Sequence, residues 1–223
     1  MSTRTKCTDC GANRGIAVYS NSTYCFACNR RCLNKSLIKR NIIKYTKEDP
    51  ILESLPDKAL IYLRNLYITD AHIQKYSLQW AVNYDRISIP VLNGYWLRDI
   101  SNNKNNKWLF IGKETPKLFY IMDFMYNKSI VLVEDIFSAI RIGDYQNVIC
   151  LGGLNINNEH LQQLVNAFAA PSIFTWFDGD KSGQHAADKY YHRYKLLYNI
   201  KNIFTKKDPK NHTPTEIEEI LKC

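Results

Sequence analysis

The stretch VLVEDIFSAIRIG, at Val131–Gly143, joins an apolar run to an acidic pair and then to a helical pattern, and FTWFDGDKSG at Phe174–Gly183 repeats that order. In FTKKDPKNHT, at Phe204–Thr213, an apolar run again leads to a carboxylate. The acids that follow these runs are Glu134, Asp178, Asp180 and Asp208. The carboxyl ends of parallel strands lie along one edge of a sheet, so these acids are expected to converge. Converging carboxylates are typical of a site that holds Mg²⁺ beside substrate phosphates.

Strand and helix patterns alternate through the last part of the chain. The predicted strands are Ser129–Val133, Val148–Leu151, Ile173–Phe177 and Asn202–Thr205, and the predicted helices are Ile136–Ile142, Glu159–Ala169, Gln184–Tyr198 and Pro214–Cys223. Such alternation predicts a parallel sheet with right-handed crossovers. A simpler explanation of the acids is that they cap helices and turns, because Asp is common just before a helix.

The middle of the chain has a different pattern. Helical spacing begins at Pro56 and starts again near Asp70, which predicts two short helices. RISIPVLNGYWLRDIS, at Arg86–Ser101, alternates around Asn93-Gly94, a strong hairpin signal, and WLFIGK adds a third strand. Basic residues accompany this antiparallel unit and are candidates for holding phosphates, although each taken singly fits a solvated surface: Arg98, Lys104, Lys107, Lys113 and Lys117.

Four of the seven cysteines form two CxxC pairs near the N-terminus, Cys7 with Cys10 and Cys25 with Cys28. The 14 residues between the pairs match a zinc ribbon, in which two knuckles close a tetrahedral thiolate site. Two disulfides are the alternative, which a reducing compartment disfavours. Cys32 has the poorer CxxxC spacing as a substitute ligand. Four thiolates leave no open position, so the zinc is expected to be structural.

The charge of the 223-residue chain favours polyanionic partners. It carries 30 Lys and Arg against 21 Asp and Glu, a net charge of +9, and such a surface attracts nucleic acid. No stretch approaches the roughly 18 apolar residues that span a bilayer, and the N-terminus lacks the apolar core of a signal peptide. We therefore expect an intracellular, cytoplasmic protein (in the host cytoplasm if a phage encodes it) with no membrane partner.

These residues together resemble a known family. Glu134 after a strand, Asp178-Gly-Asp180 with Gly183, and the step Lys207-Asp208-Pro209 are similar to the three signatures of the Toprim domain. The cysteine ribbon, and the stretch IPVLNGYWLRDIS…KWLFIGKETPKLF, resemble the zinc-binding domain and the N-terminal lobe of bacterial and phage-type DNA primases. The likeness runs from Cys7 to about Asp208 and is greatest to the primase half of phage primase-helicases.

The resemblance implies an α/β fold, α+β overall, in four segments: a zinc ribbon at 1–34, a basic linker at 35–55, a mixed α+β lobe of the polymerase core at 56–127 and a Toprim-like parallel sheet with a C-terminal helix at 128–223. It implies an enzyme that makes RNA primers on single-stranded DNA from ribonucleoside triphosphates. Glu134, Asp178, Asp180 and Asp208 would bind Mg²⁺ or Mn²⁺, and nucleotide or template would contact Arg98, Lys107, Lys113, Lys181 and Lys207. No GxxxxGKS/T phosphate loop occurs, so a separate replicative helicase is implied.

One position departs from the family pattern. A second acid is common four residues after the first glutamate, and this chain has Ser138 there. Asp135 directly follows Glu134, but on a helix it is expected to point elsewhere and not to replace the missing acid. Two other functions therefore stay open: a Toprim nuclease or topoisomerase-like enzyme that cleaves DNA, and a non-catalytic, zinc-containing DNA-binding module.

Overall fold

The computed structural model describes residues 48–91, 93–101, 106–112, 125–152 and 158–222, together with the backbone of four short strands. The chain divides into two compact units, Met1–Lys47 and Glu48–Cys223. In the first unit, β1 (Ile16–Val18), β2 (Ser22–Cys25) and β3 (Arg30–Leu33) form an antiparallel sheet in that order. Cys7, Cys10 and Cys28 lie outside the described residues, and of Cys25 only the backbone is described. The zinc site stays a prediction.

The second unit begins with an antiparallel lobe. Its sheet has the order β4 (Leu52–Glu53), β5 (Gln79–Ala81), β6 (Arg86–Val91), β7 (Gly94–Arg98) and β8 (Trp108–Gly112). Two helices, α1 (Asp57–Asn65) and α2 (Asp70–Lys75), lie between β4 and β5 in the chain. The hairpin and the third strand are confirmed. Glycine is required at Gly94, the first residue of β7, because a Cβ there would overlap the carbonyl oxygen of Ile111 in β8. Strand β4 lies within the segment predicted as linker, where it pairs with β5.

A second sheet follows, built from β9 (Phe119–Tyr120), β10 (Ile130–Val133), β11 (Asn147–Cys150), β12 (Ile173–Thr175) and β13 (Ile200–Asn202). Among the described residues its order is β13-β12-β10-β11-β9. Four strands are parallel, and β9 pairs with β11 in the antiparallel sense. The helices are α3 (Ile136–Ile142), α4 (Asn158–Phe168), α5 (Lys181–Tyr194) and α6 (Pro214–Leu221). The predicted mixed lobe and parallel α/β sheet are thus confirmed.

Central strand β10 is buried on both of its faces, as expected for a parallel strand between helices. Val131 and Val133 belong to one core cluster with Phe137 of α3 and with Leu63 of the first lobe. Ile130 and Leu132 point to the opposite side, into a second cluster that includes helices α4 and α5. Lobe and sheet therefore share one hydrophobic core.

Several predicted bounds differ from the structure, and in two elements the first residue is displaced by two residues or more. Helix α5 begins at Lys181 and not at Gln184, because Asp180 caps it by accepting a hydrogen bond from the Gly183 amide. Strand β13 is Ile200–Asn202 and not Asn202–Thr205, since Ile200 pairs with Ile173 of the neighbouring strand. Both shifts arise from contacts outside the local apolar pattern.

Candidate active site

Three of the predicted acids meet at the carboxyl edge of the parallel sheet. Glu134 directly follows β10, Asp178 lies three residues beyond the end of β12, and Asp208 follows β13 and precedes the 3₁₀ turn Pro209–Asn211. They line one cavity of about 400 Å³. The full lining is Trp96, Arg98, Lys107, Trp108, Glu134, Asp135, Ile136, Cys150, Gly152, Asp178, Asp208 and Lys210. The cavity thus lies between the antiparallel lobe and the edge of the parallel sheet.

Glu134 and Asp178 carry poorly compensated negative charge. The amide of Asp178 lies 3.3 Å from Glu134 Oε1 and donates a hydrogen bond to it. Burial, together with the charge of Asp178, raises the pKa of Glu134 to about 7. Burial also raises the pKa of Asp178 to about 6, in spite of the nearby charge of Lys210. A cation would relieve the cost of ionising both groups.

Lys210 lies among the acids, a position that was not predicted from the sequence. Its Nζ is 2.9 Å from Asp135 Oδ2, 3.0 Å from Asp208 Oδ2 and 3.5 Å from Asp178 Oδ1. Burial alone would lower the pKa of Lys210, but the charges of Asp135 and Asp178 and the hydrogen bonds outweigh it and raise that pKa. Lys210 is therefore a fixed cation in this cavity.

Asp135 also lines the cavity, so the expectation that it points elsewhere is wrong. It precedes α3 with extended backbone angles and caps the helix, and it is not a residue of the helix itself. Its Oδ1 accepts from the amides of Phe137 and Ser138, and its Oδ2 accepts from Ser138 Oγ and Lys210 Nζ. Ser138, where an acid was expected, is fully buried and holds Asp135 in place.

Asp180 has a different environment from the other predicted acids. It is exposed, it does not line the cavity, and its Oδ1 caps α5. Its charge nevertheless contributes to the raised pKa of Glu134, after the larger effects of burial and Asp178. The loop that carries it is tightly packed, since a Cβ on Gly183 would overlap the carbonyl oxygen of Asp178. The glycine thus allows α5 to start close behind Asp178.

Two predicted phosphate-binding residues, Arg98 and Lys107, line the same cavity. The Arg98 guanidinium lies 5.1 Å from the centre of the Trp108 ring, and its buried Nε has no hydrogen-bond partner among the described residues. Lys181 is the exposed first residue of α5, and Lys207 pairs with Glu216 at 3.0 Å, so neither lines the cavity. Lys113 lies outside the described residues.

Four cavity residues that bear on chemistry were not predicted as site residues from the sequence: Trp96, Trp108, Asp135 and Lys210. Trp96 and Trp108 stand on neighbouring strands, with ring centres 6.3 Å apart. Alternation within the hairpin could have indicated them as residues of one sheet face. For Lys210 the signal was its position two residues after Asp208, in a segment where a proline starts a new turn.

The donor atoms in this cavity fit a hard divalent cation. Mg²⁺ and Mn²⁺ prefer carboxylate oxygens, which Glu134 and Asp178 provide. The Oδ1 atom of Asp178 is buried and lacks a hydrogen-bond donor in the described part of the chain, with Lys210 Nζ as its nearest cation at 3.5 Å. Within the same residues, no group of three or more His, Cys, Asp or Glu side chains is placed so that it could hold a metal ion by itself.

Comparison with known proteins supports the fold. Residues 132–212 match a family described as Toprim-like. A DnaG primase catalytic domain bound to single-stranded DNA aligns with a TM-score of 0.58 at 15% identity, over 74% of this chain and 71% of that one. The primase fragment of the bacteriophage T7 primase-helicase aligns with a TM-score of 0.50 at 16% sequence identity, over 99% of this chain and 97% of that one. The Aquifex aeolicus primase (zinc-binding and RNA polymerase domains) aligns with a TM-score of 0.50 at 18% sequence identity, over 84% of this chain and 57% of that one.

A search among curated proteins gave no significant match. Residues 132–212 are thus similar to the Toprim-like family, and the chain has a fold similar to that of primase catalytic domains, as the motifs indicated. In the part of the chain that is described, no helix is both long and apolar enough to cross a bilayer.

Proposed function

We propose that this protein makes short RNA primers on single-stranded DNA by nucleotidyl transfer that depends on Mg²⁺ or Mn²⁺. The observation that carries the proposal is the shared cavity, which Glu134, Asp178 and Asp208 line together with Arg98 and Lys107. Carboxylates and fixed cations around one cavity suit a polyphosphate substrate with its metal ions. The Toprim-like match and the primase-like fold support this assignment.

The reaction joins the 3′-hydroxyl of one nucleotide to the α-phosphate of the next, and pyrophosphate leaves. Divalent cations held by the carboxylates would neutralise the transferring phosphate and favour the attacking alkoxide. Glu134 and Asp178 would be the principal ligands, because their charges are the least compensated in the cavity. Asp180 and Asp208 would support them from farther away, since both oxygens of Asp208 already accept hydrogen bonds, one from the Gly179 amide and one from Lys210.

Arg98 would bind the triphosphate. Its buried Nε lacks a hydrogen-bond partner within the described residues, and a phosphate oxygen would satisfy it. The Trp108 ring beside the guanidinium holds it in one orientation. Lys107 would add positive charge from the same wall of the cavity. Lys113, Lys181 and Lys207 would contact the nucleotide or the template, the last two from outside the cavity.

The N-terminal unit would hold Zn²⁺ through Cys7, Cys10, Cys25 and Cys28 and present the template strand. A recognition module on a basic linker raises the effective concentration of template at the site without adding contacts there. A replicative helicase would act as a partner, since the bacteriophage T7 protein whose primase fragment has a similar fold is a primase-helicase.

A template-dependent synthesis assay tests this function. The full chain is incubated with single-stranded DNA of varied sequence, labelled ribonucleoside triphosphates and Mg²⁺ or Mn²⁺. We expect short labelled RNA products from the wild type and none from Glu134→Gln or Asp178→Asn. Scission of the DNA without synthesis would instead identify a Toprim nuclease. DNA binding with neither reaction would identify a non-catalytic module.

A further inference from the structure

We infer that Lys210 is an internal cation that takes the place of one divalent metal ion, so that the acidic cavity binds a single Mg²⁺ or Mn²⁺ at Glu134 and Asp178. Phosphoryl-transfer sites of this general kind commonly use two metal ions about 4 Å apart. The inference rests on the proposed function, because it concerns the metal requirement of the same site. It assigns a role to a residue that the motifs did not indicate.

The contacts of Lys210 are those of a bound cation. Its ammonium group lies within 3.5 Å of carboxylate oxygens from Asp135, Asp178 and Asp208. These acids come from three separate segments, which follow β10, β12 and β13. An ammonium group on a flexible stem usually stays in water, but only 14% of this side chain is exposed. The protein thus encloses Lys210 where a metal ion would otherwise bridge the segments.

Asp135 is committed to this arrangement and is not available as a metal ligand. Each of its two oxygens already accepts two hydrogen bonds, and one of these comes from Lys210 at 2.9 Å. A carboxylate offers about four acceptor positions. Ser138 contributes two of the four donors, through its amide and its hydroxyl. The serine at the position of the expected acid therefore anchors the internal cation.

The backbone of Lys210 is held in place as well. It lies in the 3₁₀ turn Pro209–Asn211, where the Asn211 amide donates to the carbonyl of Asp208 at 2.9 Å. Just beyond the turn, the carbonyl of His212 accepts a hydrogen bond from the buried side chain of Arg141. These hydrogen bonds fix the turn that places Lys210 beside Asp208.

Charge then divides the cavity into two halves. Lys210 offsets the charges of Asp135 and Asp208, and it repels a second divalent ion from that half. Among the described residues Glu134 has no ion pair with Lys210, and Asp178 Oδ1 is the farthest of the three carboxylate oxygens from Lys210 Nζ, at 3.5 Å against 2.9 Å for Asp135 and 3.0 Å for Asp208. The position for a single divalent cation is the half that contains these two acids.

Counting the bound Mn²⁺ ions tests the inference. The full chain is titrated with Mn²⁺, free ion is followed by electron paramagnetic resonance, and sites that disappear in Glu134→Gln or in Asp208→Asn are assigned to the cavity. We expect one such site in the wild type and two in Lys210→Gln, which removes the charge but keeps a hydrogen-bonding side chain. Lys107→Gln is the matched control, because it removes a positive charge from the same cavity but none of the carboxylate bonds of Lys210. It is expected to keep one site.

The outcomes separate this inference from the proposed function. Two cavity sites in the wild type would overturn the inference and leave the function intact. No cavity site in the wild type would contradict the metal assignment itself. One site in a folded Lys210→Gln would show that the lysine does not replace an ion. If that variant does not fold, the wild-type count still decides, and Lys210→Arg, which keeps the charge, is expected to retain one site.

Discussion

Replacing Glu134 with Gln is expected to stabilise the metal-free protein at high pH. Gln keeps the oxygen that accepts the hydrogen bond from the Asp178 amide, but it removes a half-buried charge. Folding raises the pKa of Glu134 from 4.5 to about 7, mainly through burial and then through the charge of Asp178. The folded state therefore binds this proton more tightly than the unfolded state does.

The size of the effect follows from this pKa rise. Below pH 4.5 Glu134 is protonated in both the folded and the unfolded state, so it does not lower the free energy of unfolding. As the pH rises, its ionisation destabilises the folded state more and more, until the pH exceeds about 7. A rise from 4.5 to about 7 sets a ceiling of about 3 kcal/mol, which partial exposure to solvent reduces to about 1–2 kcal/mol. The free energy of unfolding of the variant should thus exceed that of the wild type by about 1–2 kcal/mol at pH 8 and by clearly less at pH 5.

Urea unfolding with EDTA, followed by tryptophan fluorescence, measures this difference. All four tryptophans, at positions 80, 96, 108 and 176, belong to the second compact unit, so the signal reports on that unit alone. With excess Mg²⁺ the wild type should become more stable than the variant, since a ligand at 100 times its Kd stabilises the folded state by about 2.7 kcal/mol. A variant that is less stable than the wild type at pH 8 in EDTA would refute this account of the charge at Glu134.

Other variants test neighbouring parts of the site. Arg98→Ala should raise the KM for ribonucleoside triphosphates by about tenfold or more with intact Mn²⁺ binding, measured by primer synthesis, because a charged phosphate contact is lost. Gly183→Ala should destabilise the second unit by about 1–3 kcal/mol in urea and weaken Mn²⁺ binding, because its Cβ would displace the Asp178 backbone. Ser138→Ala should lower the free energy of unfolding in urea by about 1–2 kcal/mol, because Asp135 loses the hydrogen bond that the serine hydroxyl donates to it. A thiol-directed zinc chelator should abolish template-dependent synthesis while the Mn²⁺ sites of the cavity remain; unchanged synthesis would argue against a zinc ribbon that presents template.

Much of the fold could be predicted from local patterns. Helix α3 has the predicted bounds, Ile136–Ile142, because an apolar strand, a capping acid and an apolar helix follow one another without interruption. Strand β13 was placed two residues too late, because its position depends on pairing with β12 and not on its own apolar content. The convergence of Glu134, Asp178 and Asp208 was also predictable, since all three follow parallel strands.

The roles of individual side chains at the site were less predictable. Asp180 belongs to the motif as clearly as Asp178 does, yet it is exposed and caps α5. Asp135 was expected on a helix, and its extended backbone as a cap turns it into the cavity instead. Lys210 resembles the other surface lysines of the FTKKDPKNHT segment in sequence, and only the turn at Pro209 brings it to the acids.

The sequence alone determined the order of strands and helices along the chain, because that order follows from local periodicity. It also determined the sheet edge at which the acids gather, because parallel strands run in a common direction. Its cysteine spacing also predicts a zinc site at the N-terminus, outside the described side chains. Only the tertiary structure decided which acids share the cavity with Arg98 and which oxygens are already bonded. It also decided that Lys210 lies among the carboxylates of the cavity. Those properties depend on distances between segments far apart in the chain, which no local pattern encodes.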